Sequence, residues 1–138
     1  MLREASHRNN VSNNAVSGNQ GHGIAVVGLG DFDSSQDNVV AWNVANENGF
    51  HGIGVWDCIK TTVIGNTASD NGEDGIYLIL VSNSNIQNNR CAGNAKYGIH
   101  ITEFNVDNFV TNNDLVDNGI LPLLDEGTGT TTIPGNRT

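Results

Sequence analysis

Four residues able to bind a metal or carry a proton, His22, His51, Asp74 and Tyr97, each stand directly before a glycine. Two places after those glycines come Ala25, Gly54, Tyr77 and His100, and two further on Val27, Trp56, Ile79 and Thr102. Imidazole and carboxylate at His22, His51 and Asp74 are donors that suit zinc or copper. Tyr77 and His100 pair a phenol with an imidazole, groups that can give or take a proton. In the stretch GLGDFDSSQDN, Asp31, Asp33 and Asp37 supply oxygens of the kind calcium takes. The stretch lacks the glycine and terminal glutamate spacing of an EF-hand loop, so a solvated acidic turn stands as the alternative reading. Cys58 and Cys91 show neither a disulfide framework nor metal-ligand spacing and read as buried thiols.

The elements that position these groups follow from an internal repeat. Gly23, Gly52, Gly75 and Gly98 are separated by 29, 23 and 23 residues, a period of 23 with one insertion of six. A second series opens at Val11, Val40, Val63, Ile86, Val110 and Ile133. Three residues later stand Asn14, Asn43, Asn66, Asn89, Asn113 and Asn136, and five later again Asn19, Asn48, Asn71, Asn94 and Asn118. Apolar residues alternate, as in Ile53 and Val55, Ile76 and Leu78, Ile99 and Ile101, which is strand periodicity. Strands this short bury their apolar face only by stacking coil on coil, each pairing in parallel with its equivalent. The expected fold is all-β, a single-stranded right-handed parallel β-helix of about five coils.

Stacked amides in the Asn columns are expected to hydrogen-bond from coil to coil as a ladder, with Asn taking the left-handed backbone of sharp corners. The Gly column implies close approach or positive φ. Tyr77 and His100 become vertical neighbours at roughly 4.8 Å, a spacing suited to an acid and base pair. Val27, Trp56 and Ile79 form an outward apolar stripe, which suits either sugar stacking or a contact between subunits. Inward of the strand ends, Val81 is expected to meet Cys58 and Phe104, leaving Leu80 aligned with Asp57 and Glu103.

The chain is read as one domain over 1–138, with a cap or tail at 1–10, regular coils over 11–118 and a degenerate last coil or tail at 119–138. There, Pro122 replaces the expected glycine and Asp125 falls on an inward position. Because the pattern stops inside a repeat, the reading includes a piece of a longer solenoid or an interface continued by another chain, hence a homo-oligomer. With 6 Lys+Arg against 15 Asp+Glu, a formal charge of -9 argues against nucleic acid and anionic lipid as partners. No apolar run has the length of a membrane helix. The start MLREASHRNN lacks the apolar core of a signal peptide, which predicts a cytoplasmic chain or a leader outside this sequence.

The pattern G-I-x-V/I/L followed by N-x-[small apolar]-x-x-N over residues 11–118 resembles the right-handed β-helix repeats of the pectin-lyase-like superfamily. Within it, the pattern is similar to mannuronan epimerase-type repeats. The resemblance implies a secreted or periplasmic location and a polysaccharide lying along the outward face of the first sheet. It further implies Tyr77 and His100 as a proton-transfer pair at the sugar C5, tuned by Asp74 and His51. Trp56, Ile79, Thr102, Tyr97 and Glu103 would then contact substrate. The D-P-H-type catalytic motif of such enzymes is not in this chain, and Lys96 at the rim is the sole Lys or Arg by these columns. The alternative is a non-catalytic solenoid that self-associates through its ends or the Trp56 stripe.

Overall fold

The computed structural model describes residues 6–30, 34–133 and 135–138. All its regular elements are strands, and every pairing among them is parallel. One sheet joins β1 (Asn10–Ser12), β4 (Val39–Ala41), β6 (Thr62–Ile64), β8 (Asn85–Gln87), β10 (Phe109–Thr111) and β12 (Thr131–Thr132) in that order. The other runs through β2 (Ile24–Val27), β5 (Ile53–Ile59), β7 (Ile76–Ser82), β9 (Tyr97–Ile101) and β11 (Leu121–Asp125), with β3 (Ser35–Gln36) also on β5. A third side consists of single bridges from Ala15 through Val44, Thr67, Arg90 and Asp114 to Arg137. The chain is therefore a parallel β-solenoid of three sides, read correctly from its period.

Identical registers stack identical residue types. Ile24, Ile53, Ile76 and Ile99 form one column, Val26, Val55, Leu78 and Ile101 a second, and Val40, Val63, Ile86 and Val110 a third, all buried. Each such aliphatic side chain contributes about 1.5–3 kcal/mol by leaving water. Ala45, Ala68, Cys91 and Leu115 fill the corner between the second and third sides.

Left-handed backbone falls on the residue before each buried polar corner residue, which corrects its assignment to the Asn columns. Asn13, Trp42, Asn88 and Asn112 have φ near 55°, with Gly65 at 65°. Glu47, Asp70 and Asp117 are left-handed at the second corner, and Asp37, Lys60, Asn83 and Asp107 at a third. Behind the first corner, side-chain amides run Asn14→Asn43→Asn66→Asn89→Asn113→Asn136, donor to acceptor, at 2.9–3.0 Å. Asn19, Asn48, Asn71, Asn94 and Asn118 form the same chain at the second, at 2.9–3.1 Å. The glycine column answers to space: a Cβ at Gly52 would stand 2.7 Å from Asn71 Nδ2 and 2.8 Å from the Ala45 carbonyl.

Phe104 does not face the core beside Val81. The Val81 N–H donates to Asn105 Oδ1, and Phe104 is 57% exposed. Leu78 pairs with Ile101, 23 residues on, but Ser84 bonds Asn108, 24 on, so one extra residue lies between Ile101 and Asn105 and turns Phe104 outward. The last coil keeps register, with Leu123 beside Ile99 and Asp125 beside Ile101, where Asp125 is exposed.

Candidate functional site

The outward face of the β2–β5–β7–β9–β11 sheet carries rings from successive coils. His51 stacks on Tyr77 with centroids 4.3 Å apart and planes 3° from parallel. His22 stacks on the far side of His51 at 5.1 Å. Tyr77 meets the His100 ring edge at 5.3 Å, and Tyr97 lies 4.8 Å from His100. Trp56 folds back over Gly54, where any Cβ would collide with the indole, and its edge approaches His22 at 5.0 Å. A column of small and aromatic residues thus becomes a continuous ring surface because Gly54 leaves room for Trp56.

Beneath the rings lies Asp74, 1% exposed. Its Oδ2 stands 3.3 Å from His51 Nδ1 and 3.4 Å from His100 Nδ1, while Oδ1 accepts the Tyr97 backbone N–H at 3.1 Å. Burial pushes this carboxyl up, but the hydrogen bonds from His51 and Tyr97 and the His51 and His100 charges outweigh burial and hold it below the usual range. The other nitrogens of these imidazoles face carboxylates too: His51 Nε2 lies 3.3 Å from Glu73 Oε2 and His100 Nε2 3.3 Å from Glu126 Oε2. Lys96 Nζ donates to Glu73 Oε1 at 2.9 Å. Burial, then Asp74 and Glu73, raise the Tyr77 phenol above its ordinary value. His22 is lowered, first by burial and then by His51, and its Nδ1 is buried without a hydrogen-bond partner.

These groups line an open cavity of about 450 Å³ bounded by His51, Glu73, Asp74, Tyr77, Lys96, Tyr97, His100 and Ile120. Tyr77, His100, Asp74, His51 and Tyr97 are thus brought together. Trp56 flanks the rings, and Ile79 pairs with it as a half-buried neighbour that does not line the cavity. Thr102 is buried at a corner, its hydroxyl accepting from Asn105 Nδ2 at 3.0 Å, and Glu103 is exposed in the following turn. Neither joins the cavity. Glu73 and Lys96 were legible as a pair, being one period of 23 apart. Glu126 carried no such signal, since it follows the coil whose pattern degrades.

The described residues do not form a metal centre. Among the described residues no three His, Cys, Asp or Glu side chains converge as ligands. The imidazole nitrogens of His51 and His100 are each turned to a carboxylate. Burial pushes the Cys58 thiol up to about 12 and Cys91 higher, so neither offers a thiolate at neutral pH. Of the acidic loop, Asp37 stands 4.0 Å from Arg8 Nε, and Asp31 and Asp33 lie outside the described residues.

The fold has solved relatives. The chain superposes on a double mutant of the periplasmic alginate epimerase AlgG with a TM-score of 0.78 and 18% identity, covering 95% of this chain and 35% of that one. On the Azotobacter vinelandii mannuronan C-5 epimerase AlgE4 A-module the TM-score is 0.77 at 16% identity, covering 97% of this chain and 46% of that one. The AlgE6 A-module of the same organism gives 0.63 at 19%, covering 96% and 49%. The chain therefore spans a third to a half of those structures, and at such identities the likeness is one of fold. No curated protein sequence matches. A family profile described as periplasmic copper-binding protein (NosD) matches residues 1–130, and the chain belongs to that NosD family.

Proposed function

We propose that this chain is a carbohydrate-associated β-helix module that binds a glycan across the outward face of the β2–β5–β7–β9–β11 sheet. The observation that carries the reading is the ring-lined cavity, where flat aromatic faces lie beside hydrogen-bonding groups in an open trough. A pyranose offers an apolar face for stacking and hydroxyls at its edge, and such mixed surfaces suit it. Similarity of fold to polysaccharide epimerases supports the same reading. The copper in the family's description finds no fitting donor set among the described residues, and no step is routed through it.

Proton transfer at a bound sugar, as in a uronate epimerase or lyase, is a second reading. It is favoured by Asp74, which holds His51 and His100 on either side of Tyr77. Against a uronate substrate, the cavity's Lys96 is already occupied by Glu73, so among the described residues lining it an enolate-like intermediate has no free cation to stabilise it. Self-association, the other alternative, is better supported on the last coil, where Ile120, Leu121 and Ile133 are exposed, than at Trp56, whose ring is taken up over Gly54.

The test is a glycan array followed by calorimetry with the wild-type chain and Tyr77→Ala. Binding to at least one oligosaccharide, weakened about tenfold by the substitution, is expected. Indifference to Tyr77→Ala would remove the cavity as the site. After incubation with uronate polymers, absorbance of unsaturated uronate decides the lyase form of the second reading, and a change in C5 configuration followed by proton NMR decides the epimerase form.

A further inference from the structure

The charges around the cavity do not balance. Glu73 and Asp74 line the cavity and Glu126 stands just beyond the lining, against His100; among the described residues there Lys96 is the one ammonium, held 2.9 Å from Glu73. The imidazoles of His51 and His100 lie between carboxylates and do not offset the excess when neutral. Asp74 keeps its charge despite burial, because His51 and the Tyr97 N–H hold its carboxylate. Tyr77, in the cavity wall, registers the field: after burial, Asp74, Glu73 and Glu126 all raise its phenol, with Lys96 opposing.

Commitment of these carboxylates differs. Glu73 serves both Lys96 and His51, and Asp74 serves two imidazoles and a backbone N–H. Glu126 meets His100 alone and its side chain remains 48% exposed. It is the carboxylate with capacity left for an incoming cation, at the edge of a surface whose aromatic faces also attract positive charge.

We propose that the cavity takes a positively charged sugar, a hexosamine unit with a free amino group, its ring on the Tyr77 and Tyr97 side and its ammonium at Glu126. This rests on the glycan-binding reading above and names the class of sugar within it. A uronate would bring its carboxylate into the same negative field, so the geometry discriminates against it by repulsion as well as by lack of a partner.

Calorimetric titration of the full chain at about pH 7, where an amine is still mostly protonated and an ordinary imidazole mostly neutral, tests the inference with oligosaccharides of equal length. The ligands are a deacetylated chitin oligomer, its N-acetylated form and an oligomannuronate, with a lysine peptide of matching charge as control. The amino oligomer is expected to bind about tenfold or more tighter than the acetylated one, with the uronate weakest. Glu126→Gln, checked for folding by its melting transition, should remove most of that difference. Acetylated or uronate oligomers binding as tightly as the amino form would overturn the charge assignment and leave the glycan reading standing. Binding by none of the three sugars would overturn both. A lysine peptide binding equally well, or a preference unaffected by Glu126→Gln, would show attraction to an acidic chain rather than a site, and overturn the inference.

Discussion

At the first corner every coil repeats one residue and one bond, an amide passing a hydrogen bond to the next amide from Asn14 to Asn136. On the outward face the same period presents His22, His51, Asp74 and Tyr97, three different kinds of group in four equivalent places. The corner repeats because each coil must satisfy the same buried backbone groups in the same way. The face is under no such uniform requirement, although His51 and Asp74 on it are buried. Where its residues interlock, Asp74 still accepts the Tyr97 backbone N–H as a corner amide would, but the stacking of His51 on Tyr77 is not needed to close the coil. A solenoid thereby separates the residues that build it from those free to bind something.

That separation can be broken from the corner side with the largest effect. Asn89 Oδ1 accepts both the backbone N–H and the side-chain amide of Asn66, and its own amide reaches the Val63 carbonyl and Asn113. Asn89→Ala orphans these partners in the buried interior and is expected to cost about 3–5 kcal/mol, read by urea unfolding. From the face side, Asp74→Asn should weaken glycan binding by tenfold or more while lowering stability far less than Asn89→Ala. Equal losses of stability would mean that face and corner are one structural system.

Acid sharpens the contrast. Asp74 is depressed in the folded chain, so it binds a proton less readily there than unfolded, and the stability it contributes is present above the ordinary aspartate value near 3.9. That contribution disappears as pH falls through the lower folded value. The stability gap between wild type and Asp74→Asn, followed by denaturant melts, should therefore be constant at neutral pH and close below about pH 4. The amide columns carry no titrating group and should add nothing to that gap.

Cysteines give a core counterpart. Cys58, raised to about 12 first by burial, and Cys91, raised further, stay protonated, so labelling by a thiol reagent should proceed only as fast as the chain opens. Since the unfolded thiols ionise first, stability should decline as pH rises above about 9.

The smallest effect is expected at Leu80, which is 53% exposed and left-handed at φ 56, aligned in its bend with Asp57 at φ 52. Leucine tolerates that backbone poorly, so Leu80→Asn should raise stability by about 0.5–1 kcal/mol. A loss instead would show that the Leu80 side chain has a packing role in the fold.

The period of 23 and the alternation of Ile53 and Val55 made the parallel solenoid and its inward columns readable, because stacking reproduces sequence spacing directly in space. The single extra residue before Asn105 is not legible in the sequence, as it preserves both asparagine columns and turns Phe104 outward. A third buried corner, at Asn38, Thr61, Ser84 and Asn108, was hidden by its mixed residue types. On the face, vertical neighbours such as Tyr77 and His100 could be paired from the repeat. Glu126, arriving from an irregular coil, and Trp56, folded back over Gly54, take positions that the repeat does not encode.

The central claim is that sugar binds on this ring surface. Titration of the isotope-labelled chain with a binding oligosaccharide, followed by its indole and imidazole resonances, tests it most directly. The account predicts that the Trp56 indole and the His51 and His100 rings shift together, saturating at one ligand concentration, with the Trp42 indole unmoved. Shifts confined to Trp42, or a saturating interaction that leaves His51 and His100 untouched, would contradict it.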